Sequence, residues 1–294
     1  MAKPWDGIFS AKEVDVVIPA AGGTVYIEPF GDVHHDNKSC CKETWGEFLE
    51  DAYNRMGPTT LFLGMGDYID MASSSERKGL AAAGLHDTTM DNLDIIANQN
   101  INAFIEDISF MQGKLLGFIQ GNHDWVFEGG PYEADKTGSQ VMAEDLGTEW
   151  LGVSSRITVN VKLRSGKLVD KIKIYANHGK GGGGSTVGAP FNTVQKMSMT
   201  FGDGELFLMG HDHSLGGLPS TVLSSRGDDD VGALRCYYGR TGSFLRAYEP
   251  NVQSYVTAGG YKPATLGVIR YEYKFTKRVI DGAISYKKKV NQIS

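Results

Sequence analysis

Gly121-Asn122-His123-Asp124 follows the apolar run Leu115 to Ile119, so a polar Asn-His pair stands at the end of a buried strand. Asp32-Val33-His34, Gly66-Asp67, Asn177-His178 and Gly210-His211-Asp212-His213 have the same build, each after a strand-like run. Five of the seven histidines of the chain lie in these blocks. Carboxylate, carboxamide and imidazole are the donors that hard and borderline divalent cations take. In an extended segment the alternate residues Asp32 and His34 face the same way and can reach one ion. Gly66 lets the backbone turn tightly, which frees Asp67 to sit between two ions. Asn122 offers a neutral oxygen, and His178, His211 and His213 offer nitrogens. The chemistry this set suits is hydrolysis assisted by a pair of metal ions.

Strands must deliver these blocks to one place. Glu13 to Pro19 and Gly23 to Phe30 have the pattern of two strands joined by the turn Ala20-Ala21-Gly22. Thr44 to Met56 carries apolar residues at helical spacing and stops at Gly57-Pro58. Thr59 to Leu63 is a short buried strand, so the first third is β-α-β, which favours a parallel pair. Ser73 to Thr89 is polar and too long for a plain connection, as in a lid or substrate-facing loop. Met90 to Gln112 and Glu133 to Leu146 are expected helices. Arg156 to Leu163 and Leu168 to Ala176 alternate around Ser165-Gly166, the pattern of a hairpin. Pro190 to Thr200 is an expected helix and Leu206 to Met209 the last buried strand before the ligands end. Ser220 to Asp230 is polar and expected to be mobile. Ala233 to Tyr238 and Val268 to Phe275 are expected strands, Tyr238 to Tyr261 irregular, and Lys287 to Lys289 a basic tail. The expectation is one domain over residues 1–294, with insertions near 73–89 and 218–262.

Hydrophobic content of 41% and charged content of 22% suit a globular protein with a real core. A net charge of −6 gives no general attraction to nucleic acid or anionic membranes, though a local basic patch is compatible with it. No apolar run has the length of a membrane span, and Met1 to Ser10 lack the apolar stretch of a signal peptide. A cytoplasmic protein without membrane contact is the expectation. The odd count of Cys40, Cys41 and Cys236 fits reduced thiols.

The five blocks, in this order, resemble the calcineurin-like metallophosphoesterase superfamily, whose motifs run D-x-H, G-D, G-N-H, H and G-H-x-H. The resemblance implies an α/β fold, a four-layer α-β-β-α sandwich of two mixed sheets flanked by helices. It implies one metal held by Asp32, His34, Asp67 and His213, and another by Asp67, Asn122, His178 and His211, with Asp67 as the bridge. Mn, Fe, Zn, Ni and Co all suit such ligands, with manganese favoured. A water held between the ions would attack phosphorus in line. His123 would contact the phosphate or protonate the leaving oxygen, with Asp124 as the partner that orients it. Protein phosphatases of the superfamily carry an Arg after the second Asp of G-D-x-x-D and a Glu after G-N-H. Here Asp70 is followed by Met71, and His123 by Asp124. The resemblance therefore leans to the phosphodiesterase and nuclease branches.

The expected partner is a phosphoester, with a nucleotide or nucleic acid as variants. The functions in contention are a phosphodiesterase or phosphatase on small or nucleotide-like phosphoesters, a DNA or RNA nuclease, and a non-catalytic metal-binding scaffold. The Gly181 to Gly184 run after Lys180 lacks the G-K-[ST] of a P-loop and is either a connection or a substrate contact. Arg240 and Tyr255 could meet phosphate or a base, with packing the simpler role. His86 and His35 are expected core residues satisfied by backbone partners.

Overall fold

In chain order the elements are β1 (Ser10–Ile18), β2 (Gly22–Phe30), α1 (Lys42–Arg55), β3 (Thr60–Gly64), α2 (Ser74–Ala83), α3 (Asp87–Ile108), β4 (Leu115–Phe118), α4 (Gly138–Asp145), β5 (Ser154–Leu163), β6 (Leu168–Asn177), α5 (Ala189–Thr200), β7 (Leu206–Met209), β8 (Leu215–Ser225), β9 (Val231–Ser243), β10 (Gly267–Val268), β11 (Arg270–Ile280) and β12 (Ala283–Ile293). The structure is a computed structural model that describes residues 10–71, 74–84, 86–180, 186–225, 231–248, 257, 260 and 262–294.

Two sheets form. One has the order β12-β11-β2-β3-β4; the other runs β1-β5-β6-β7-β9-β10, with β8 on β9. Both are mixed: β2, β3 and β4 are parallel while β11 is antiparallel to β2, and β6, β7 and β9 are parallel while β5 is antiparallel to β6. Alternation sets the faces. Tyr271, Tyr273 and Phe275 of β11 point into the space between the sheets, where they meet Val25, Ile27, Leu61, Leu63, Ile157, Val159, Ile174 and Leu208. Phe30, Phe62 and Phe118 point the other way, onto Trp45 and Phe48 of α1, Ala97, Ile101 and Phe104 of α3, and Val141 and Met142 of α4. On the far side Tyr175, Phe207 and Tyr238 pack on Val194 and Met197 of α5. The layers are helices, sheet, sheet, helix, the four-layer α-β-β-α sandwich. β3 is buried at every residue because both of its faces are covered, which is why it lacks alternation.

Several local expectations are corrected. β1 and β2 are the expected strands on either side of a turn, yet they enter different sheets: β1 runs parallel to β5 in one, and β2 lies between β11 and β3 in the other. Both strands are apolar on the inter-sheet face, and local sequence cannot say which partner wins. The stretch read as a lid is largely helical, being α2 and the start of α3. Its small residues, such as Ala82 and Ala83, are good helix formers. α4 begins at Gly138 rather than Glu133, where Thr137 and Gln140 form a capping box. Ser220 to Ser225 continue β8, antiparallel to β9, and β9 runs on to Ser243. The supposed basic tail is inside β12, held by β11. Residues 181–184, 226–230 and Tyr255 lie outside the described residues. Among the described residues no helix is long and apolar enough to cross a membrane.

Candidate metal centre

The C-terminal ends of β2, β3 and β4 in one sheet, and of β6 and β7 in the other, open onto one place. Donor atoms of Asp32, His34 and His213 lie within 4.8 Å of one another, and so do those of Asp67, His178 and His211. Asn122 joins the second group, its Oδ1 3.0 Å from His178 Nε2 and 2.7 Å from His211 Nδ1. Asp67 lies between the groups, with Oδ2 3.1 Å from His178 Nε2 and 3.9 Å from His34 Nε2. The structure thus brings all seven sequence-derived ligand candidates together.

The local backbone that does this is not the extended one expected for Asp32-x-His34. Asp32 (φ 47°), His34 (φ 48°), Asp67 (φ 49°), His211 (φ 73°) and His213 (φ 57°) are all left-handed. Each such non-glycine residue costs on the order of 1–3 kcal/mol, and such strain gathers where surrounding structure overrides it. Here the override is a mesh of hydrogen bonds between loops. Asp32 N–H donates to Gly66 O at 2.9 Å, and Val33 and His34 N–H donate to Asp67 O at 2.9 and 3.0 Å. His123 N–H donates to Asp67 Oδ1 at 2.9 Å, and His211 N–H to Asp32 Oδ2 at 2.9 Å. Close approach also explains two glycines. A Cβ on Gly66 would sit 2.4 Å from His178 Nδ1, and one on Gly121 would sit 2.1 Å from Asp67 Oδ1.

The donor chemistry fits a cation. His178 Nδ1–H donates to Met65 O at 2.8 Å, which turns Nε2 toward the oxygens of Asp67 and Asn122. Lone pairs facing each other at that distance repel, so a proton or a metal ion must lie between them. His34 is clearer still. Its Nδ1 is 3.0 Å from Asp70 Oδ1, and its Nε2 is buried with no hydrogen-bond partner. Burial pushes the Asp32 carboxyl up to about 7, only partly offset by His178. At Asp67 the neighbouring His178, His34 and His123 outweigh burial and hold the carboxyl far below its usual range. Burial depresses His178, but Asp67 more than reverses this and lifts it to about 9. Burial, reinforced by His34, pushes His213 down to about 3.

His123 stands edge-on to His34, ring centroids 4.9 Å apart. Its Nδ1 is in contact with Asp70 Oδ1, not with the expected Asp124. Asp124 is buried and accepts from the N–H and hydroxyl of Ser139, at the start of α4. A residue adjacent in sequence points to the other side of the turn, toward the helix N-terminus that best satisfies a carboxylate. Asp70 is the residue that sequence reasoning passed over. It bridges His34 and His123, accepts from Asn37 Nδ2, and its own N–H donates to Asp36 Oδ1 at 2.5 Å. The signal was its place three residues after Asp67. Arg240 is buried, and His35 pairs with Asp107 at 3.0 Å. His86 is not in the core: it is exposed and caps α3, accepting from Thr88 N–H.

No family model matches the chain, and no curated protein matches it. Among solved structures it is similar to vacuolar protein sorting 29 from Cryptosporidium parvum, with 10% identity and a TM-score of 0.41 over 92% of this chain and 98% of that one. Zinc-complexed Vps29 from Entamoeba histolytica shares 12% identity, with a TM-score of 0.34 over 90% of this chain and 99% of that one. Calcineurin-like phosphoesterase YfkN from Bacillus subtilis shares 11% identity, with a TM-score of 0.32 over 93% and 91%. Likenesses this distant say nothing of activity. The strand order and the helices on both outer sides make this a four-layer α-β-β-α sandwich, the fold that the resemblance carried by the five polar blocks implies.

Proposed function

We propose that the chain is a dinuclear metal-dependent phosphoester hydrolase acting on small or nucleotide-like phosphoesters. One observation carries the reading: two groups of donors, most of them buried, lie on either side of Asp67, and His34 Nε2 is left there without a hydrogen-bond partner. Asp32, His34, Asp67 and His213 would hold one divalent cation, and Asp67, Asn122, His178 and His211 the other. When bound, such a pair polarises phosphoryl oxygens and makes a water acidic enough to attack. The remaining work belongs to the side chains. With Nδ1 of His123 taken by Asp70, Nε2 is the nitrogen left to give a proton to the leaving oxygen. Burial raises the Asp70 carboxyl, but hydrogen bonds from His123 and His34 outweigh it and keep Asp70 ionised, which suits it to steady an imidazolium. Met71 stands where a bidentate arginine clamp for a monoester dianion would be, which favours diesters.

The test is a panel of chromogenic mono- and diesters, cyclic nucleotides and DNA, run with metal content measured on the same sample. Chelator-sensitive turnover of a diester is expected. Metal-loaded protein inert on the whole panel would leave the scaffold reading instead.

A nuclease is the second reading, and one surface favours it. The outward face of β11 and β12 carries exposed Lys274, Arg278, Lys287 and Lys289, with Lys274 directly opposite Lys289. Like charges paired across strands destabilise a sheet, and a phosphate backbone would relieve them. A nuclease would show cleavage that falls steeply with salt and weakens when these residues are changed to glutamine.

A further inference from the structure

We infer that Arg240 is a positioning residue for both groups of metal donors, acting through the turn Gly210 to His213. The inference rests on the metal-centre reading above. Arg240 lies in β9 beside Met209, the last residue of β7, and is 3% exposed. Its Nε–H donates to Pro190 O at 3.0 Å and a terminal N–H to Gly210 O at 2.7 Å. The other terminal nitrogen is 3.3 Å from Asp212 Oδ2, both side chains being 3% exposed. Asp212 Oδ1 in turn accepts Ser214 N–H at 3.1 Å.

The guanidinium therefore grips the turn from inside, on both sides of His211. That turn sends His211 to one donor group and His213 to the other, and both residues are left-handed. A turn strained at two non-glycine positions needs an outside hold. The rest of the same strand end holds the other ligand loop. Gly242 N–H donates to Ser214 O at 3.0 Å, while Ser243 Oγ–H and Phe244 N–H donate to Asp32 O at 2.9 and 3.0 Å. Residues 240–244 thus tie the loops that carry Asp32, His211 and His213 to the end of β9. Only a planar fork of donors can reach Pro190 O, Gly210 O and Asp212 together; an ammonium cannot.

The experiment uses the full chain, stripped of metal and titrated with Mn²⁺ by calorimetry, as wild type, Arg240→Lys and Arg240→Met. Unfolding temperatures are measured with and without Mn²⁺. Loss of an outer partner of metal ligands weakens affinity by about 10–100-fold. That loss is expected at both Mn²⁺ sites together, larger for Arg240→Met, with a smaller Mn²⁺-induced rise in unfolding temperature. A merely structural arginine would lower metal-free stability and leave Mn²⁺ affinity unchanged, which would overturn the inference. Weakening at one site alone would also overturn it, since the turn would not move as a unit. If Arg240→Met does not fold, Arg240→Lys decides. Wild type that takes up no divalent cation would refute the metal reading, and this inference with it. That result is distinct from variants that match a loaded wild type.

Discussion

The two ends of β7 bury carboxylates and neutralise them differently. At its start Glu205, with a side chain 7% exposed, meets Lys288 Nζ at 2.8 Å, and the same ammonium is 3.1 Å from Asp170. Beside them Asp203 takes Lys173 at 2.8 Å, Arg156 at 3.2 Å and the Tyr175 hydroxyl at 2.6 Å. At the other end Asp32 and Asp67 are buried as deeply, yet their partners are histidines. Among the described residues no lysine or arginine forms an ion pair with either. A buried carboxylate without a positive partner costs several kcal/mol. Where the task is to join sheets, the chain supplies its own cations. Where it supplies imidazoles instead, the balancing positive charge is a proton or a metal ion.

Removing the shared carboxylate should break that contrast most severely. Asp67→Asn takes away the one group common to both donor sets, so metal content should fall and turnover drop by more than about 10²-fold, beyond what outer partners give. A fully active, fully loaded variant would refute the bridge. His123→Ala should leave metal content unchanged while the rate falls by about 10²–10⁴-fold, the size of a general-acid contribution. Elemental analysis alongside turnover separates the two: a loss of metal in His123→Ala would make His123 a ligand.

Much of the site end was legible because polar residues interrupt apolar strands at Asp32, Asp67, Asn122, His178 and His211, and a polar group persists in a buried place only where something satisfies it. What stayed hidden is conformational. Nothing in Asp32-Val33-His34 announces two left-handed residues, because the strain is imposed by Gly66, Asp67 and Phe244 from elsewhere in the chain. The choice of Asp70 over Asp124 as the partner of His123 depends on which side of a turn each faces. The far end was less legible for a related reason. Lys287 to Lys289 reads as a charged tail until β11 is known to lie beside it, when Lys288 turns inward to Glu205 and Lys289 outward. The four layers followed from the resemblance carried by the blocks, whereas the partners of β1 and β2 are non-local.

The far end offers smaller tests, and both should leave metal binding untouched. Lys288→Met leaves Glu205 and Asp170 without their ammonium, which should lower the unfolding free energy by about 3 kcal/mol. The double variant Glu205→Met/Lys288→Met should recover part of it. Metal content altered by Lys288→Met would mean that the two ends are not independent.

The smallest effect is electrostatic and depends on pH. Burial pushes the Asp203 carboxyl up, but hydrogen bonds from Lys173 and Tyr175 outweigh it and hold it at about 2, below its ordinary 3.8. A depressed folded-state pKa stabilises above the unfolded value and loses that stabilisation as pH falls through the folded one. Asp203 is half exposed, so screening reduces the contribution to under about 1 kcal/mol. In urea unfolding of metal-free protein, wild type should exceed Asp203→Asn near neutral pH. The gap should close as pH drops from about 4 to about 2. A gap constant across that range would trace the difference to packing, and the far end would then owe less to its cations than the contrast with Asp32 and Asp67 requires.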